Sequence, residues 1–231
     1  MTTSTTEMDV LVLADEVSLP GTLTIGPRPT GIVVFAHGSG SSRLSTRNMA
    51  VARSLVDRGC ATLLFDLLTP AEASLRRNVF DIGLLGRRVL SATTWLEQQN
   101  EVRGLAVGYF GASTGAAAAL VAAAESGNTV AAVVSRGGRP DLAGEALPHV
   151  TAPTLLLVGS LDSDVLQMNR DAQRQLTCES KLTVIEGAGH LFEERGTLDQ
   201  VAEAAGAWFT NKFAAGRAVS DRSTNINEAK P

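Results

Sequence analysis

Cysteine is scarce. Cys60 and Cys178 are the only two, far apart and outside any metal-ligand spacing, so neither a disulfide framework nor a cysteine-built zinc site organises the chain. Basic residues are not gathered into a stripe and the net charge is −4, which excludes a nucleic-acid footprint or a polybasic membrane patch. No apolar run approaches the length of a membrane span. The opening Met-Thr-Thr-Ser-Thr-Thr-Glu lacks the basic start and apolar stretch of a secretory signal, so a cytoplasmic location is expected. Histidine is also rare: His37, His149 and His190 are the only three candidates for proton transfer near neutral pH.

What is present is a repeated pattern of short apolar runs followed by glycine-rich turns. Asp9 to Leu13 and Leu19 to Ile25 read as an antiparallel opening hairpin, interrupted at Pro20-Gly21. Ile32 to Ala36, Cys60 to Phe65, Leu105 to Tyr109, Val130 to Val134, Pro153 to Val158 and Leu182 to Ile185 are continuous apolar runs, as expected of strands covered on both faces. Helical stripes lie between them at Arg47 to Arg58, about Val79 to Gln98, and Ala116 to Ala124. A closing helix is expected from Leu198 to Phe213, with Thr197 and Gln200 in capping-box spacing. The alternation predicts one domain over residues 1–213 with a mostly parallel, doubly wound α/β sheet of seven to eight strands. Residues 214–231 are polar and poor in apolar groups, and disorder is expected there. The segment from Arg136 to Thr151 is too short for a folded cap.

In open α/β sheets ligands bind at the carboxyl ends of the strands, and here those ends carry chemistry. Gly111-Ala112-Ser113-Thr114-Gly115 sits between a strand and an alanine-rich helix, where glycines permit a tight turn and the serine is left exposed. His37-Gly38-Ser39-Gly40, Val158-Gly159-Ser160-Leu161-Asp162 and Gly187-Ala188-Gly189-His190-Leu191-Phe192 end three other strands. Taken with the chain order Ser113, Asp162, His190, these motifs resemble the α/β-hydrolase superfamily, and within it the small, lidless, dienelactone-hydrolase-like group. The resemblance spans roughly residues 10–213. One departure is that the elbow holds Ser113 where dienelactone hydrolase itself uses cysteine, which favours ordinary esterase chemistry.

The resemblance implies an α/β-hydrolase fold and a serine esterase without metal or cofactor. Ser113 is the implied nucleophile, His190 its general base, and Asp162 the acid that orients the imidazole. Asp164 competes with Asp162 and has an alternative role as a helix cap; Asp162 is favoured because it stands nearer the strand end. The backbone N–H groups of Ser39 and Thr114 are the implied oxyanion hole. Arg43, Arg47, Arg76, Arg77, Arg136 and Arg139 all follow strand ends. Arg43 and Arg136 are the candidates for binding an anionic group on a small ester substrate, Arg136 leading. Lactone or thioester hydrolysis is the neighbouring alternative, and a ligand-binding protein with negligible turnover the alternative of another class. The partner expected is a small molecule rather than nucleic acid or membrane, with monomer and homodimer both open.

Overall fold

The structure, a computed structural model, describes residues 4–227, with side chains described as far as residue 215. Eight strands form one sheet in the order β1-β2-β4-β3-β5-β6-β7-β8. The hairpin of β1 (Thr6–Ala14) and β2 (Val17–Ile25) is antiparallel, and β2 pairs antiparallel with β4 (Ala61–Phe65). From β4 onward every pairing is parallel: β3 (Ile32–Ala36), β5 (Val107–Ala112), β6 (Val130–Arg136), β7 (Thr154–Gly159) and β8 (Ser180–Ile185).

The buried strands owe their unbroken apolar sequences to helices on both faces. Alternate residues of β3 enter different cores: Ile32, Val34 and Ala36 join α4 (Ile82–Glu97) and α5 (Thr114–Glu125), while Val33 and Phe35 face α1 (Thr46–Asp57) and α7 (Thr197–Asn227). The chain passes from β3 to β4 on one side, then returns to place β5 on the other side of β3. That reversal opens a crevice beyond the carboxyl ends of β3 and β5, the place where such sheets receive ligands. The loops containing His37 and Ser113 meet there.

Four expectations need correction. First, β2 runs through Pro20-Gly21, with Pro20 opposite Leu11; the ladder to β4 begins at Gly21, so the missing N–H of proline falls at its end. Second, the helical stripe expected from about Val79 begins as α4 at Ile82, preceded by two short helices, α2 (Pro70–Ala73) and α3 (Arg76–Val79). Thr69 and Glu72 cap α2 reciprocally. Third, the hydroxyl of Thr197 donates backward to the Glu194 carbonyl at 2.7 Å instead of capping α7. Fourth, α7 continues to Asn227 rather than ending at Phe213, since no proline stops it and its alanines favour helix; residues 228–231 lie outside the described residues. Between β6 and β7 only a 3-10 segment, Pro140–His149, intervenes. Among the described residues no helix is long and apolar enough to cross a membrane.

α7 is held by aromatic packing. Phe209 and Phe213 stack with ring centroids 5.7 Å apart, and both are fully buried against the sheet. Phe209→Ala is expected to cost about 3–5 kcal/mol in urea unfolding, the range for removing a buried phenylalanine ring. A cost below about 1 kcal/mol would contradict this placement of the core.

Candidate active site

The β5–α5 junction is sterically extreme. A Cβ on Gly111 would stand 2.4 Å from the Ala116 Cα, and one on Gly115 would stand 2.2 Å from the Ala36 carbonyl oxygen. Glycine at both positions lets strand, helix and the end of β3 crowd together. Ser113, between them, takes φ 51° and ψ −122°, a conformation that L-residues rarely adopt. Its carbonyl is held by the N–H groups of Ala116 and Arg139. Those backbone bonds carry the strain.

His190 follows β8 and Asp162 follows β7, and the two strands are hydrogen-bonded neighbours. Nδ1 of His190 lies 2.7 Å from Oδ2 of Asp162. An ionised carboxylate only accepts, so Nδ1 carries the proton and Nε2 keeps its lone pair free. Asp162 occupies the N-cap position of α6 (Ser163–Gln173) but makes no side-chain cap bond, because its carboxylate is turned to the imidazole. Asp164, the competing acid, is exposed in the first turn of α6. Ser113 and His190 line one cleft of about 250 Å³. No hydrogen bond joins them among the described residues.

Across the cleft, Ser39 and Thr114 come together as expected, but in a way the sequence does not reveal. The Ser39 N–H donates to the hydroxyl of Thr114 at 2.8 Å. Thr114 is buried and is the first residue of α5, so its own N–H has no acceptor within the helix. The loop is braced by His37. Its Nε2 accepts from the Leu67 N–H at 3.1 Å, so Nδ1 carries the proton and lies 3.0 Å from the Gly38 carbonyl. Burial holds the His37 pKa below its usual value, outweighing the opposing effects of the Gly38 carbonyl and of Asp66.

The arginines divide sharply. Arg43 binds Asp66 through both its backbone N–H, at 2.8 Å, and its guanidinium, at 3.1 Å, so its charge is met within the protein. That pairing also gives Asp66 a partner in place of the turn or solvent-facing role its position suggests. Arg139 pairs with Asp141 and Arg47 with the exposed Glu193. Arg136 lines the cleft beside Ser113 and forms no ion pair among the described residues. A second cavity, about 410 Å³, lies beyond the Ser39 loop and is walled by Leu67, Leu68, Pro70, Ala73, Val79 and Leu85.

The family model for the dienelactone hydrolase family matches residues 21–214. The chain is similar to the crystal structure of a dienelactone hydrolase from Anabaena variabilis, with 56% identity, a TM-score of 0.87, and coverage of 90% of this chain and 98% of that one. Est1E from Butyrivibrio proteoclasticus shares the fold at 17% identity, with a TM-score of 0.75 over 89% of this chain and 99% of that one. Two Mycobacterium tuberculosis proteins, provisionally named phosphoribosyl transferases, are 59% identical over 201 residues. The match covers 87% of this chain but 45% of theirs, so the chain spans less than half the length of those curated relatives.

The depressed pKa of His37 has a consequence for stability. As pH falls through about 6.5, the unfolded imidazole takes up a proton that the buried one does not, so the folded state loses stability. Urea titrations between pH 7 and pH 5 are expected to show a smaller loss of unfolding free energy in His37→Asn than in the wild type. Equal slopes would contradict the buried, neutral imidazole.

Proposed function

The chain belongs to the dienelactone hydrolase family, and from that premise we propose that it is a serine hydrolase cleaving a small carboxylic ester through an acyl-serine intermediate. The observation that carries the reading is the 2.7 Å contact of His190 Nδ1 with Asp162, which leaves Nε2 uncommitted on a histidine that lines the same cleft as the strained Ser113.

Each group has a defined task. A serine hydroxyl is a weak nucleophile at neutral pH, so His190 Nε2 takes its proton as Oγ attacks the ester carbon. Asp162 holds the tautomer and stabilises the imidazolium that forms. The carbonyl oxygen becomes an oxyanion and accepts from the Thr114 and Ser39 N–H groups. In the structure the Ser39 N–H donates to the Thr114 hydroxyl at 2.8 Å, so on substrate binding it exchanges that acceptor for the oxyanion or shares it. Collapse of the tetrahedral intermediate breaks the bond to the leaving oxygen, which receives the proton from His190. Water then repeats the sequence on the acyl-serine, freeing the acid and regenerating Ser113.

Replacing Ser113 by Ala is expected to abolish turnover of p-nitrophenyl acetate while the circular dichroism spectrum is retained. Persistent turnover would sink the assignment. Asp162→Asn is expected to lower kcat by roughly a thousandfold or more through the wrong imidazole tautomer. Asp164→Asn, whose carboxylate makes no contact with His190, is expected to stay within about threefold of the wild type. The reverse ranking would move the triad acid to Asp164.

A further inference from the structure

Arg136 ends β6 with 6% of its surface exposed. Burying a guanidinium is costly unless an anion answers it, and none does so among the described residues. One terminal nitrogen, Nη2, donates to the Asn48 side-chain oxygen at 3.1 Å; Nε is buried without any partner. The guanidinium carbon lies 5.9 Å from the centre of the Phe192 ring. Burial, with Arg47 adding repulsion, lowers its pKa to about 10, so the group is still cationic at neutral pH. The walls of the 250 Å³ cleft include Arg136, Arg47 and Asn48 and no carboxylate. The amino end of α1 also opens there through Ser45 and Asn48, and its first turn holds no acidic residue. These groups give the wall beside Ser113 a positive character.

The two cavities differ in their relation to the reacting bond. His190 must hand its proton to the leaving oxygen, so the alcohol half departs along the wall that His190 forms. That wall belongs to the cationic cleft. The 410 Å³ cavity is walled mainly by apolar side chains, its charged members Arg43 and Asp66 being paired with each other, and it touches the Ser39 loop and Thr114 but neither Ser113 nor His190. We infer that the substrate is an ester of an apolar acyl group, seated in the larger cavity, with an alcohol that carries a carboxylate or phosphate bound by Arg136 and Arg47. This inference rests on the serine-hydrolase reading and assigns the two halves of its substrate.

Four butyrate-sized esters test it: ethyl butyrate, butyryl glycolate, the butyryl ester of 2-hydroxyethyl phosphate, and monoethyl succinate, which moves the charge to the acyl half. The wild type is expected to favour at least one ester with a charged alcohol over ethyl butyrate by about tenfold to a hundredfold in kcat/KM, mostly through KM. Monoethyl succinate is expected to gain nothing. The carboxylate and phosphate arms identify which anion is preferred. Arg136→Met is expected to collapse the charged-to-neutral ratio, and Arg136→Lys to restore part of it. The wild-type comparison decides even if Arg136→Met does not fold. Hydrolysis of all four with no preference for a charged alcohol, or a preference for monoethyl succinate, overturns the inference and leaves the hydrolase reading standing. If none is hydrolysed while p-nitrophenyl acetate is turned over in a Ser113-dependent way, the assignment of halves falls and the hydrolase reading stands; if p-nitrophenyl acetate is not turned over either, both fall. Calorimetric binding of inorganic phosphate, weakened about tenfold or more in Arg136→Met, then separates a surviving anion site from none.

Discussion

The close approach of β5, α5 and the end of β3 is the constraint on which the rest of the site depends. Gly111 rests on the backbone of Ala116 and Gly115 on the carbonyls of Ala36 and His37, with no room for a side chain at either. Crowding of this kind forces Ser113 to positive φ, and the strain persists because the surrounding sheet and helix over-determine it. It also brings the first residue of α5 against the β3 loop, so that the Thr114 hydroxyl can reach the Ser39 amide. The strained Ser113 and the Ser39–Thr114 contact are therefore products of one packing event. The Asp162–His190 contact comes from a different one, the pairing of β7 with β8, which sets the two residues at adjacent strand ends.

Much of this was legible because it depends on local chemistry. Strands buried on both faces must be apolar throughout, which is why β3, β4 and β7 stand out as continuous runs. The glycines around Ser113 mark a turn that no other residue permits, and the chain order of serine, aspartate and histidine follows from the order of strands whose ends converge. Of the two candidate acids, Asp162 is the one that hydrogen-bonds His190. Other features depend on partners distant in sequence. The pairing of Arg43 with Asp66, the bracing of His37 by Leu67, and the Thr114 hydroxyl bond have no local signature. The short helices α2 and α3 are too brief to show a periodicity of their own, although Thr69 and Glu72 did carry a capping-box spacing.

Charge distribution separates scaffold from site. Away from the cleft the buried cation Arg88 lies between Asp15 and Glu72, and Arg139 meets Asp141. Inside the cleft the balance is left open, with Arg136 buried and Arg47 answered only by an exposed Glu193. A protein interior seldom tolerates an unanswered cation unless something else uses it. Strain at Ser113 and the charge of Arg136, which has no ion-pair partner among the described residues, thus occur at neighbouring carboxyl ends, where β5 and β6 run side by side in the middle of the sheet.

The central claim is that Ser113 is a nucleophile activated by His190, and covalent trapping tests it most directly. The protein is exposed briefly to a fluorophosphonate, its intact mass is measured, and the modified peptide is sequenced. One adduct per chain, on Ser113, lost in His190→Ala, is the predicted result. An unmodified protein, or an adduct on Ser39, Ser41 or Thr114 instead, would contradict it.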